Sequence, residues 1–414
     1  MTPSFIRPAL RPVAAAAVAA AALLCSPGAQ AQYSDNLIRI GVLTDMSGPY
    51  SDMGGGGSVA AARMAVADCL QAECKGLTID VISADHQNKA DIAATKAREW
   101  LDRDKVDALA DLTNSAGALA VQKVIKERGG VALYSGPATT KLTNEDCAPN
   151  GFHWMFDTYS SASGTAAALT RAGDKSWTFL TVDYAFGHSL EKEAGEVVKA
   201  NGGTVLGSVR HPLNASDFSS FLLQAQSTKA QVIGLANGGQ DTVNAIKAAR
   251  EFGIGSGKDQ KVAALLLFLT DVRAMGLPTA QGLIFSDGFY WDRDDAARQF
   301  SARFEKQYKG LKPTMVQAGV YSSVLHYLRS AAAAKTDDWK AVSQKMRELP
   351  IKDPVMLNAS IRPDGRVIHD MQLYQVKKPD ESKGPWDYYK LITNIPAQLA
   401  FKPLKDSTCP LVKN

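Results

Sequence analysis

A chain of 414 residues with 45% hydrophobic content and a formal charge of +4 holds enough apolar matter for two cores, by a prior of about 100–200 residues per domain. The charge falls by two once Arg7 and Arg11 leave with an export signal, and the remaining basic residues form no cluster. That excludes the basic face a nucleic acid would need.

Residues 1–31 carry those two arginines, no acid, and the apolar run Val13–Leu24, VAAAAVAAAALL, which ends in GAQAQ. Ala29-Gln30-Ala31 fits the small-x-small cleavage pattern, so a signal peptide cut after Ala31 and a soluble exported product are expected. The competing reading is an uncleaved anchor, but the run is shorter than the about 20 residues of a spanning helix. Cys25 follows Leu24, where a lipid-attachment site wants a small residue.

Strand and helix patterns then alternate. Apolar, β-branched runs predict strands at Ile38–Leu43, Leu77–Ile82, Val106–Leu109 and Val131–Tyr134. Helical spacing predicts Ser58–Leu70, Asp91–Leu101 and Ala116–Lys126 between them. This βαβαβαβ order predicts a parallel sheet with helices on both faces. WMFDT, Trp154–Thr158, crosses over, and the pattern restarts. Helices are predicted at Ser163–Arg171, Leu190–Ala200, Phe218–Gln226 and Thr242–Glu251. Strands are predicted at Trp177–Val182, Thr204–Val209, Val232–Leu235 and Val262–Leu269. After Gly282 a strand, Leu283–Phe285, leads through DGFYW to helices at Ala296–Tyr308, Val316–Ala334 and Asp338–Arg347, which would complete the first half. Asn358–Ile361 and Val367–Val376 read as strands around the turn Pro363-Asp364-Gly365. The tail after Lys377 has little periodicity. The expected fold is α/β, with two doubly wound parallel-sheet lobes joined by a multi-strand hinge. Lobe 1 would be 36–156 plus 287–355, lobe 2 would be 157–286 plus 356–400, and 401–414 a C-terminal tail.

Four cysteines outlast cleavage: Cys69, Cys74, Cys147 and Cys409. An even number in an exported chain favours disulfides. Cys69 and Cys74 flank the end of the first helix and would close a small loop, leaving Cys147 for Cys409. Free buried thiols are the competing reading. No CxxC spacing or neighbouring His supports a metal.

The loops at the C-terminal strand ends are TDMSGPYSDMGGGG, SADHQN, TNSAG, YSGPATT, DYAFGHS, ANGGQD and FLTDV. Open α/β sheets bind ligands there. These loops are rich in Gly, Ser, Thr and Asn and poor in Lys and Arg, so amides, hydroxyls and helix starts would hold an anionic group without a full positive charge. The four glycines at 54–57 make no phosphate loop, because no Lys-Ser or Lys-Thr follows.

IRIGVLTDMSGPYSDMGGGGSVAAARMAV, TNSAG, YSGPATT, DYAFG and ANGGQDTVNAIKAAREFG resemble, in order and over nearly the whole mature chain, the periplasmic branched-chain amino-acid binding protein family. These are the type I solute-binding subunits of ABC importers. The resemblance implies a periplasmic protein, expected to act as a monomer, that captures an amino acid or other small carboxylate by cleft closure. It would deliver that solute to a membrane permease, with no cofactor and no metal. It places Ser115, Ala138 and Thr139 at the ligand head group, with Asn114 and Pro137 adjoining. Phe186 and nearby Tyr184 would form an aromatic wall, Met53 and Gly54 would come from the first loop, and Asn237 from ANGGQD. Met53 is a departure, since amino-acid binders often have an aromatic residue there. They also place a carboxylate at a second-lobe strand end for the ligand ammonium, and Asp271 is the only candidate here. Each residue has a plainer reading: Ser115, Thr139 and Asp271 as helix caps, Tyr184 and Phe186 as core.

Two other classes of function compete. One is a ligand-sensing module for a membrane receptor, a use type I lobes also have. The other is a periplasmic hydrolase, but there is no GxSxG and no HExxH, and His188, beside DYAFG, reads more simply as an exposed first-turn histidine than as a general base.

Overall fold

The computed structural model describes residues 1–4, 33–255 and 260–412. The apolar run Val13–Leu24, Cys25 and the cleavage motif ending at Ala31 lie outside the described residues. Among the described residues no helix is long and apolar enough to cross a membrane.

The first lobe runs β1 (Ile38–Thr44), α1 (Gly55–Gln71), β2 (Ile79–Asp85), α2 (Ala90–Asp102), β3 (Ala108–Asp111), α3 (Ser115–Arg128), β4 (Val131–Tyr134) and β5 (Gly151–His153). Its sheet is parallel, in the order β2-β1-β3-β4-β5. Ile38, Ile40, Val42, Leu43, Leu109 and Leu133 are fully buried, as strands covered on both faces must be. The second lobe runs α4 (Thr158–Arg171), β6 (Ser176–Val182), α5 (Ala185–Ala200), β7 (Thr204–His211), α6 (Ser219–Ser227), β8 (Val232–Ala236), α7 (Gln240–Glu251), β9 (Lys261–Ala264), α8 (Leu269–Met275) and α9 (Leu277–Ala280). Its sheet, also parallel, has the order β7-β6-β8-β9. The strand order reverses beside the first strand in each lobe, which creates a crevice at the carboxyl ends.

The chain then crosses back. β10 (Ile284–Asp287) leads to α10 (Asp295–Gln307), α11 (Met315–Ala334) and α12 (Trp339–Glu348). α11 packs along α1 and under β3 and β4, and it is buried almost all round. Last come β11 (Ser360–Ile361), β12 (Val367–Ile368), β13 (Met371–Val376), β14 (Tyr389–Ile395) and α13 (Ala397–Ala400). β10, β13 and β14 form an antiparallel sheet against which α4 packs. The Pro363-Asp364-Gly365 turn joins β11 to β12, with Gly365 at φ 83.

Four differences from expectation have physical causes. Val262–Leu269 is a strand only to Ala264. Phe268 instead meets Phe156 of the crossing segment edge-on, at 5.8 Å, and α8 starts at Leu269. Val367–Val376 breaks at His369, whose Nε2 lies 2.8 Å from the Met155 carbonyl. β5 and β14 were not expected; β5 is three residues long, and β14 is an exposed edge without alternation. α5 begins at Ala185, not Leu190, which places Phe186 in its first turn.

Both disulfides form, Cys69–Cys74 and Cys147–Cys409. The second joins residues 262 apart in sequence. Replacing Cys147 and Cys409 together by serine is expected to cost about 2–4 kcal/mol of stability. Urea titration of the mature protein would show it, and an unchanged midpoint would refute it.

Candidate functional site

The loops after β1, β3, β4, β6, β8 and β9 converge on the cleft between the lobes. They enclose a small, nearly filled cavity of about 10 Å³. Tyr50, Met53, Thr113, Ser115, Gly136 and Ala138 line it from the first lobe, Tyr184, Phe186, Gly238 and Leu266 from the second. Its volume is room for about one water molecule, so the walls from the two lobes stand nearly in contact. A larger surface hollow around Lys105, Asp107 and Trp339 sits at the opposite, N-terminal ends of β3 and β4, where α/β sheets seldom bind ligands.

Asp45 shapes the first loop. Fully buried, it accepts Gly48 N at 2.7 Å, Tyr50 N at 2.9 Å and Asn88 Nδ2 at 2.6 Å. The start of α11 holds the loop from below: Thr314 Oγ1 donates to Met53 O at 2.6 Å and Gln317 Nε2 to Gly54 O at 3.1 Å. At the end of β3, Asp111 and Leu112 both take left-handed conformations, φ 77 and φ 64. Non-glycine residues there store strain, on the order of 1–3 kcal/mol each, and such strain collects at ligand sites. The turn delivers Thr113 and Ser115 to the cavity. Burial pushes the Asp111 carboxyl up to about 6. It fills the space between Gly54 and Gly136, where a Cβ would lie 2.8 Å and 2.6 Å from its oxygens. Only glycine fits at those two positions.

The hydroxyls have a defined polarity. His86 Nδ1 accepts Asn88 N at 3.0 Å, so its proton is on Nε2, 3.2 Å from Thr113 Oγ1. Burial holds His86 down to about 4, hence neutral. Thr113 Oγ1 also accepts Asp45 N at 3.0 Å. Both its lone pairs are used, and its proton is left for the cavity or for Thr44 Oγ1 at a long 3.4 Å. Ser115 Oγ accepts Ala138 N and Thr139 N, each at 3.3 Å, so it too has only a proton to offer. The amino end of α3 adds positive partial charge. Tyr50 and Tyr184 hydroxyls meet across the cleft at 2.7 Å; one donates, and the acceptor keeps a free proton. Phe186 lies against Tyr184, ring centroids 6.0 Å apart.

No lining residue is charged. Asp271 lies off the cavity wall. Its Oδ2 accepts Phe268 N at 2.9 Å at the start of α8, and burial, with Asp52 adding repulsion, pushes it up to about 7. Asp241 Oδ2 is turned to Asn214 N, at 3.0 Å. The other sequence-expected residues divide. Met53, Ser115, Ala138, Tyr184 and Phe186 line the cavity, while Gly54, Asn114, Pro137, Thr139 and Asn237 do not. Asn114 caps α3 by accepting Gly117 N at 2.9 Å. The Pro137 carbonyl lies 2.7 Å from His153 Nε2. Thr139 Oγ1 meets Ser189 Oγ of α5 at 2.8 Å and so bridges the lobes. Asn237 is spent on Thr242 Oγ1 and His211, at 2.7 and 3.1 Å. His188 pairs with Asp183 at 2.8 Å on the exposed surface. Sequence reading missed Tyr50, Thr113, Gly136, Gly238 and Leu266. Tyr50 stood in the same loop as Met53 and was within reach of it; Leu266 was hidden inside an expected strand.

Two parallel-sheet lobes around a cavity walled from both sides define a solute-binding clamp. Residues 37–384 match the family described as periplasmic binding protein. A periplasmic binding protein from Burkholderia mallei is 51% identical, with a TM-score of 0.88 over 92% of this chain and 100% of that one. A branched chain amino acid ABC transporter periplasmic ligand-binding protein from Burkholderia xenovorans LB400 is 38% identical, with a TM-score of 0.80 over 90% and 99%. Leu/Ile/Val-binding protein homolog 6 of Brucella melitensis is 25% identical, over 86% of this chain and 91% of its own length. The chain belongs to the periplasmic binding protein family, in its type I branched-chain amino-acid group of ABC-transporter solute-binding proteins.

Proposed function

We propose that the mature protein, cut after Ala31, captures a small carboxylate that lacks an α-amino group and hands it to the membrane permease of an ABC importer. Residues 36–156 with 287–355 would close as one jaw on 157–286 with 356–400. One observation supports this reading: Ser115 Oγ, with its lone pairs used by Ala138 N and Thr139 N, has only a proton to offer, one tyrosine of the Tyr50–Tyr184 pair keeps another, and no side chain of the wall is an acid. A carboxylate accepts such bonds, each worth about 1.5–3 kcal/mol to a charged group. Three or four of them, less ordering costs, support micromolar affinity, roughly 8 kcal/mol. Met53, Phe186 and Leu266 suit an apolar or aromatic body. An α-ammonium would be buried here without a partner, at a cost of several kcal/mol.

The test uses pairs that differ only in the amino group: leucine with 4-methylpentanoate, phenylalanine with 3-phenylpropanoate, and benzoate beside them. In thermal shift and calorimetry the acids are expected to bind at least about tenfold tighter than their amino partners. At a hundred times its dissociation constant, a bound acid should stabilise the protein by about 2.7 kcal/mol. Tighter binding of leucine than of 4-methylpentanoate would sink the reading.

A further inference from the structure

We propose that the tip of the β1–α1 loop is a latch, and that the Tyr50–Tyr184 bridge determines how large a solute is accepted and how long it is held. The inference rests on the solute-capture reading above and deepens it.

Three features meet at one point of the cleft. The Tyr50 and Tyr184 hydroxyls are 2.7 Å apart, from opposite lobes. Both residues also line the cavity, so the bridge is part of its wall. Beside it, Gln240 N donates to the Pro49 carbonyl at 3.1 Å, main chain to main chain across the cleft. Gly239 admits that approach: it sits at φ +59, and a Cβ there would stand 2.4 Å from the Pro49 oxygen. The loop tip does not need to be ordered on closure, because Asp45 already holds Gly48 and Tyr50 by their amides. Preorganisation of this kind reduces the entropy lost when two surfaces meet.

The consequences are geometric. A solute that projects past the tyrosines would keep their oxygens apart, and the amide of Gln240 away from Pro49. Closure then fails for long solutes without any contact being repulsive to the head group. A solute that fits is released only after the bridge and the main-chain clasp have both parted. Tyr50 is almost fully buried in the closed form, so its hydroxyl exchanges water for Tyr184. A neutral bond of this type is worth about fivefold in the opening equilibrium, within the usual range for such bonds.

The experiment is a double-mutant cycle on the mature protein. Tyr50→Phe, Tyr184→Phe and the double variant would carry spin labels at Arg63→Cys on α1 and Lys247→Cys on α7, both exposed. Lobe separation is measured with and without 4-methylpentanoate, and release of that probe by stopped flow. Each single variant is expected to lower the closed fraction and to release the probe about fivefold faster. The double variant is expected to be no worse than either single, because one shared bond is lost. An unchanged closed fraction in both single variants, or losses that add in the double, would overturn the latch. A wild type that ignores 4-methylpentanoate, with variants that still open more, would keep the latch and overturn the carboxylate reading for that probe.

Discussion

Replacing Arg366 by methionine is expected to destabilise the protein by about 3–5 kcal/mol. Arg366 is 1% exposed and lies on the last crossing between the lobes, against the first. Its guanidinium donates to the carbonyls of Phe156 and Trp154, each at 3.2 Å, and to that of Met155. It stands 3.5 Å from the Asp157 carboxylate, which caps α4, and lies over the Phe401 ring at 4.3 Å. Methionine would fill much of the volume and keep the ring contact. It would take a donor from the carbonyls of Trp154 and Phe156, leave that of Met155 with His369 alone, and remove the counter-charge of the buried Asp157 carboxylate, which keeps the Ser160 amide; that loss, not the cavity, sets the size of the effect. Urea titration should show a lower midpoint with little change in slope. A loss under about 1 kcal/mol would mean that the crossing segments find other donors.

The largest effect on binding is expected from Ser115→Ala combined with Thr113→Val. Each removes a hydroxyl of the cavity wall without adding volume, Ser115 with a proton free for a ligand and Thr113 with one shared between the cavity and Thr44 Oγ1. Ser115→Ala alone should weaken the preferred acid by about tenfold to a hundredfold, the worth of one bond to a charged group. The pair should lose more than about a hundredfold. Thr139→Ala should lose less than either, because its hydroxyl bridges to Ser189 and not into the cavity. Calorimetry on the three variants would test this order. A Thr139→Ala loss as large as that of Ser115→Ala would return Thr139 to the head-group site.

The lobes were legible because each core strand is a short apolar run bounded by polar loops, and β4 begins and ends where its run does. Legibility failed where burial and strand pairing part company. Leu265–Phe268 is as apolar as a strand and as buried, yet it has left the sheet, and Leu266 reaches the cavity from it. Within the site, Ser115 was readable from the TNSAG loop. Thr113 was not, because its role comes from His86 and Asp45, each distant in sequence. Asp271 had two readings in the sequence, an ammonium partner and a helix cap; its carboxylate accepts the Phe268 amide at the start of α8 and does not line the cavity.

The Cys147–Cys409 bond has a mechanical consequence. α13 packs on α4 of the second lobe, and the chain from Phe401 onward runs back to Cys147 beside the first. Those last residues therefore tie the chain beyond α13 covalently to the first lobe, separately from the crossing strands. If the lobes move as the proposed clamp requires, a tie of fixed length would give the gape a stop, and the stroke would be set by chemistry at the protein's edge as well as by the hinge.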